Sequence, residues 1–227
     1  MPCMSNQSYL NMWCRDFSEE RALEAFGALL ATVPFSAVRP GFTFLTVHAV
    51  DASETPVLEM DLRAVPLDAA GVIELARDHL HGDCSGEVGC YWDLFAFDGT
   101  TGTFKREPQP LAIFSHGEEY DNGWWAENGH LQVNLGFEHF FTGHAGLLGS
   151  RRSAPAAAES PEEARFLEAM AWPENLETYQ EKTRENIRTL FDWVRRIEKD
   201  VPVERLQLWS EGEDNFEARL EEILAVR

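Results

Sequence analysis

Phe42-Thr43-Phe44-Leu45-Thr46-Val47-His48-Ala49-Val50, the polar run 51–56, and Val57-Leu58-Glu59-Met60-Asp61-Leu62 form the stretch on which the fold turns. The first arm is rich in aromatic and β-branched residues, which suit a pleated, half-buried surface. The second arm alternates apolar and acidic side chains, the pattern of a strand with one wet face. Joined by turn-forming residues, the two arms predict an antiparallel β-hairpin.

Helical patterns flank this hairpin. On its N-terminal side Ser18 offers an N-cap, Glu19 and Glu20 complement the helix dipole, and Ala22, Leu23, Phe26, Leu29, Leu30 and Val33 recur at helical spacing until Pro34. Residues 1–17 lack periodicity and read as a loose N-terminal arm, although Tyr9, Leu10, Met12, Trp13 and Phe17 are able to pack down. On the C-terminal side Asp68 caps a second helix over 69–80, which Gly82 ends. Runs 88–97, 111–115 and 131–135 have strand composition, with a short further strand near 103–105, and Asp98-Gly99, Gly102, Pro108, Pro110 and Gly129 separate them. The order helix, hairpin, helix, strands predicts an α+β fold with a largely antiparallel sheet of five to six strands, not alternating βαβ units.

The Ser/Ala/Pro-rich run 150–160 reads as a linker or long loop between an α+β sheet domain, 1–149, and a C-terminal helical segment, 161–227. Ser160-Pro161-Glu162-Glu163 is a strong helix start, with a capping serine, proline at the first helical position and glutamate three residues after the cap. Pro173 interrupts that helix. A longer one follows to about residue 199, with Leu176, Tyr179, Ile187, Leu190, Phe191, Val194 and Ile197 on one apolar face. Covering the protein's own sheet is the simplest use of that face, which leaves monomer or dimer open. Run 205–209 reads as a final edge strand and 214–226 as a closing helix.

A net charge of −20, from 19 basic and 39 acidic residues, excludes nucleic acid as a direct ligand, because phosphate binding needs a basic patch. It also repels anionic membrane surfaces and steers cations inward, basic proteins among them. No apolar run approaches the ~18–20 residues that span a bilayer. The first residues lack a basic region followed by an apolar one, so a soluble, cytoplasmic protein is expected. Four cysteines, Cys3, Cys14, Cys84 and Cys90, form no C-x-x-C pair and are expected as free thiols, although Cys84 and Cys90 are close enough to meet across a turn.

Chemistry concentrates in 107–150, EPQPLAIFSHGEEYDNGWWAENGHLQVNLGFEHFFTGHAGLLGS, which holds no Lys or Arg but six acids and four histidines. No nucleophile elbow, P-loop, dinucleotide fingerprint or H-E-x-x-H is present. If 111–115 and 131–135 pair, His116 and His130 stand at the two mouths of the connecting loop with Glu118, Glu119 and Asp121 between them. His116, Glu118, Asp121 and His130 are therefore a candidate set for a divalent ion or for acid–base work. The paired Trp124 and Trp125 give the same loop the anchors of a recognition surface. Trp92-Asp93 lies inside a predicted strand, with Tyr91, Asp93 and Phe95 on one face and Trp92, Leu94 and Ala96 on the other. Asp93 becomes an orienting group only if it is buried beside one of the loop histidines.

A second candidate is His79-Leu80-His81-Gly82-Asp83-Cys84. Over these six residues it resembles the H-x-H-x-D-H signature of the metallo-β-lactamase superfamily, with Cys84 in place of the last histidine and a helical pattern before it instead of a strand. The resemblance implies a metal held by His79, His81 and Asp83. The residues taken by themselves suit a helix C-terminus, where histidines favour the dipole.

The leading expectation is an acidic intracellular binding protein of the inhibitor, immunity or adaptor kind, recognising a basic protein partner through the Trp-bearing face. No cofactor is expected on that view. A metal-assisted hydrolase, with a divalent ion, is the competing class, and a small-molecule sensor using the aromatic residues of the same stretch is the third.

Overall fold

The computed structural model describes residues 6–98, 101–144, 147–148 and 160–225. In chain order they form β1 (Gln7–Cys14), α1 (Glu19–Ala31), β2 (Phe42–Ala49), β3 (Leu58–Asp61), α2 (Ala69–Ala76), β4 (Cys84–Asp98) and β5 (Thr103–His116). Then come α3 (Trp125–Asn128), β6 (Leu131–Phe137), α4 (His139–Thr142), α5 (Pro161–Met170), α6 (Pro173–Asp200), β7 (Val203–Ser210) and α7 (Phe216–Ala225). Seven strands make one sheet in the order β3-β2-β4-β5-β6-β1-β7, with every neighbouring pair antiparallel. The α+β class stands, and the sheet has seven strands where five to six were expected.

The additional strand is β1, the segment read as a loose arm. It lies between β6 and β7, pairing with both. Leu10, Met12 and Cys14 enter the core, while Tyr9 stacks on Trp209 at 4.5 Å on the other face. Its buried polar groups are satisfied: Ser8 Oγ donates to the Gly136 carbonyl at 3.0 Å, and Asn11 Oδ1 accepts from Gln132 Nε2 at 2.9 Å. A strand with aromatic and amide side chains on its outer face shows no apolar/polar alternation, so its sequence looks aperiodic.

β5 also runs farther than expected, straight through Pro108 and Pro110. His116, of the same parity, donates its N–H to the His130 carbonyl on the β6 side at 2.8 Å. By strand alternation the absent N–H groups of both prolines face that side too, and β6 pairs only with Ala112 to Ser115. No ladder bond is lost, which is where proline is tolerated in a sheet.

Helices cover one face. Trp92 in β4 packs between Phe141 and Trp193, with ring centroids 5.8 and 5.7 Å away, and Ile187, Leu190, Trp193 and Ile197 of α6 are buried against the sheet. Trp193 Nε1 donates to Thr32 Oγ1 at 2.9 Å, which satisfies the indole N–H and ties α6 to the end of α1. Two of the three expected side-chain caps form: Asp68 Oδ1 accepts from Gly71 N–H at 2.8 Å and Ser160 Oγ from Glu163 N–H at 3.1 Å, whereas Ser18 stands at the N-cap of α1 without a side-chain capping bond. α2 stops at Ala76, short of the expected residue 80. The expected linker lies outside the described residues apart from Ser160, as does Cys3. Cys14, Cys84 and Cys90 are free and buried. Cys84 and Cys90 both belong to β4, six residues apart along one extended strand, so they do not meet. No described helix is long and apolar enough to cross a membrane.

Candidate functional site

The hairpin β5–β6 forms as anticipated and sets His116 opposite His130, but both imidazoles turn inward, to 4% and 5% exposure. His116 Nδ1 lies 2.9 Å from Ser85 Oγ, and its ring stacks with Phe114 and Tyr120 at 5.8 and 5.9 Å. His130 is clamped between Phe17 and Trp125, at 4.0 and 4.6 Å. Burial pushes both pKa values down to about 4; at His116 the Gln132 side chain opposes that shift and the neighbouring His130 adds to it. Both rings are therefore neutral near pH 7.

The backbone N–H of Cys14 donates to His130 Nδ1 at 3.0 Å. With Nδ1 accepting, the ring carries its proton on Nε2, and that nitrogen has no lone pair to offer a cation or a substrate proton. The carboxylates meanwhile stay at the surface. Glu118 and Glu119 are exposed, Asp121 is partly exposed, and Glu118 Oε1 stands 3.9 Å from His130 Nε2, beyond a hydrogen bond. Among the described residues no three His, Cys, Asp or Glu side chains converge as metal ligands would. His130 thus joins β1 to the loop, and Trp125 completes the clamp by donating Nε1–H to the Glu118 carbonyl at 3.1 Å.

The turn 79–83 leans on this same loop. Glu119 N–H donates to the Gly82 carbonyl at 2.8 Å, and Gly117 N–H to the Cys84 carbonyl at 2.9 Å. The turn after β2 joins them: Val50 N–H donates to the Asp83 carbonyl at 2.9 Å, and Asp121 N–H to the Val50 carbonyl at 2.8 Å. Three loops distant in sequence are thereby riveted into one surface at one end of the sheet. His79, His81 and Asp83 do not converge on one point. His79 sits just past α2, His81 Nδ1 pairs with Glu19 Oε1 at 3.3 Å, and Asp83 Oδ1 accepts from Cys84 Sγ at 3.3 Å. The H-x-H-x-D spacing falls on a turn that splays its side chains, not on a buried strand end that would aim them at one point.

The surface carries Asp51, Glu54, Asp83, Glu118, Glu119, Asp121 and Glu127, and its three loops contain no Lys or Arg. Burial first, then Asp121 and Asp51, push the Tyr120 phenol above its usual range, so acidic groups surround that hydroxyl. Two large apolar side chains stand out among the acids, Val50 at 58% and Trp124 at 42% exposure. Of the paired tryptophans, Trp125 is the internal anchor and Trp124 the outward one. Val50, Asp51 and Glu54 went unnoticed in the sequence, where the turn looks ordinary; its acidity was the one available signal.

Trp92 and Asp93 do not join this surface. Trp92 is fully buried under the helices, and Asp93 pairs in register with Pro108, eight residues along β5 from His116, where its Oδ2 accepts the Ala37 N–H at 2.9 Å. Burial pushes the thiols of Cys14 and Cys90 up to about 12, so neither is a ready nucleophile.

Fold and site together describe an antiparallel α+β protein with a rigid, acidic, tryptophan-bearing loop face. Comparison of the chain with protein-family models, with curated proteins and with solved structures finds no match.

Proposed function

We propose that this chain is a binding protein that recognises a basic protein partner through the surface built from 50–54, 81–83 and 117–128. One observation carries the proposal: three acidic loops free of Lys and Arg are cross-bonded into one face from which Val50 and Trp124 project. An exposed apolar group held on a fixed frame gives a partner a contact that costs little ordering on binding. The surrounding carboxylates steer a cationic surface toward it and disfavour acidic competitors.

The experiment is affinity capture with the wild-type chain beside Trp124→Ala and the combined Glu118→Gln/Glu119→Gln/Asp121→Asn variant. A basic protein retained by wild type, lost from both variants and released as salt is raised supports the proposal. Captured proteins that are acidic, or that bind all three forms alike, overturn it. The metal-assisted hydrolase has less support: the tautomer of His130 takes a ligand from the 116–130 set, and His81 and Asp83 are turned to Glu19 and Cys84 in the 79–83 set.

A further inference from the structure

About ten residues along β4 from the acidic face, roughly 33 Å of strand, lies a cavity of ≈ 570 Å³ between the far end of the β4–β5 ladder, α4 and the helices α5 and α6. Its volume falls within the ~300–1,000 Å³ typical of small-molecule sites. The walls are aromatic and braced ring on ring. Phe97 packs against Phe104 and Phe166 at 5.2 and 5.3 Å, and Tyr179 against Phe104 and Phe166 at 5.7 and 5.2 Å. Asn186 holds the β4 end of the wall in place, accepting from Phe95 N–H at 2.8 Å and donating to the Phe95 and Phe140 carbonyls at 3.0 Å each. The rings therefore form a fixed slot instead of closing the space by collapse.

Gln109, His139, His144, Tyr179, Lys182 and Thr183 bring polar groups to the slot, and two carboxylates join them. Glu107 and Glu163 line it, and Glu163 Oε1 lies 2.8 Å from His144 Nε2. The one lysine of the lining, Lys182, is already committed, with Nζ 2.7 Å from Glu185 Oε1 and 4.3 Å from the centroid of the Phe95 ring. Its ammonium shows what the wall accepts, a cationic nitrogen seated on an aromatic face beside a carboxylate. Among the described residues the lining carries two carboxylates, Glu107 and Glu163, and one ammonium, Lys182, a formal charge of −1 in a chain of net charge −20.

We propose that this cavity binds a small aromatic amine in its protonated form, the ring stacked within the Phe97, Phe104, Phe166 and Tyr179 walls and the ammonium directed to Glu163 and Glu107. The site is separate from the acidic loop face, and its ligand does not depend on the protein partner proposed there.

A matched pair of probes tests this on the unmodified chain: tryptamine and indole-3-propionate carry the same ring and spacer and differ in the sign of the terminal charge. Calorimetry at pH 7 is expected to show one tryptamine per chain, with indole-3-propionate weaker by roughly tenfold or more. Glu163→Gln, with folding checked by circular dichroism, is expected to narrow that difference by weakening tryptamine alone. Phe104→Leu is expected to weaken both probes. Failure of tryptamine to bind at millimolar concentration, or binding of the anion as tight as that of the amine, overturns the proposal.

Discussion

The backbone N–H of Asp121 donates to the carbonyl of Val50 at 2.8 Å, and both residues hold left-handed conformations, with φ of 43° and 69°. Such geometry costs an L-residue about 1–2 kcal/mol and is least tolerable for a β-branched side chain. The strain sits at the exposed rim, not in the core, and it is maintained because each loop fixes the other. Val50→Gly is expected to raise stability by about 1 kcal/mol, since glycine adopts this conformation freely. Urea unfolding checks this. On the function proposed above, capture of a basic protein is expected to weaken in the same variant, because the projecting isopropyl group is gone. A loss of stability would mean that the valine side chain contributes more than its backbone costs.

Burial of His116 and His130 makes stability depend on pH in a defined direction. Both folded-state pKa values lie near 4, below the ordinary histidine value of 6.5. Their contribution is fully present above pH 6.5. As pH falls from there toward 4 the unfolded chain binds protons that the folded chain refuses, and stability drops. Each ring is worth at most roughly 3 kcal/mol over that window. Nitrogen-15 NMR gives a direct reading: neither ring is expected to titrate between pH 8 and 5, and His130 is expected to show the Nε2–H tautomer. A midpoint near 6.5 for either ring would remove the basis for calling it neutral.

Much of the fold was legible because local signals agreed with the global arrangement. Ser18, Asp68 and Ser160 mark helix starts, α6 shows its apolar stripe, and the hairpin arms are marked by aromatic and β-branched content at 42–49 and by apolar/acidic alternation at 58–61. β1 was not legible, since Tyr9, Asn11 and Trp13 face the side where the alternation needs simple polar residues. β5 was hidden by Pro108 and Pro110, whose harmlessness depends on where β6 ends. For the site, composition located the loop, but not the direction its histidines point. That direction is decided by Cys14, Phe17 and Ser85, which belong to other parts of the chain. The alliance of Val50 with Asp121 is a tertiary fact with no local trace.

Asn186 is a compact test of how the aromatic end of the sheet is held. Only 3% exposed, it serves the Phe95 N–H and two carbonyls, those of Phe95 and Phe140. Asn186→Leu preserves approximate volume but leaves three backbone groups without partners. At about 1–3 kcal/mol for each such buried group, a loss of at least roughly 3 kcal/mol is expected in urea unfolding. Asn186→Asp is expected to keep the Phe95 N–H bond but to set a buried carboxylate oxygen against the Phe95 and Phe140 carbonyls, so near pH 7 it is expected to be no more stable than Asn186→Leu. Equal stability of Asn186→Leu and wild type would show that water reaches this end of the strand.

Gly117 governs whether the three loops act as one face. Its backbone needs no glycine-only conformation, yet a Cβ there would lie 2.2 Å from the Gly82 carbonyl oxygen, and backbone has little freedom to retreat. Gly117→Ala must therefore push the 79–83 turn away, which stretches the Glu119-to-Gly82 and Gly117-to-Cys84 bonds. A destabilisation of about 2–4 kcal/mol is expected, from overpacking together with the disturbed bonds. Hydrogen exchange distinguishes this local wedge from general weakening: the amides of Gly117, Glu119 and Asp121 are expected to lose protection before those of β4 and β6. Partner capture is expected to fall along with it, since the acids and Trp124 keep their chemistry and lose their fixed spacing. Unchanged capture by a variant with those amides unprotected would mean that the partner reads the charge of the loops alone, not their geometry.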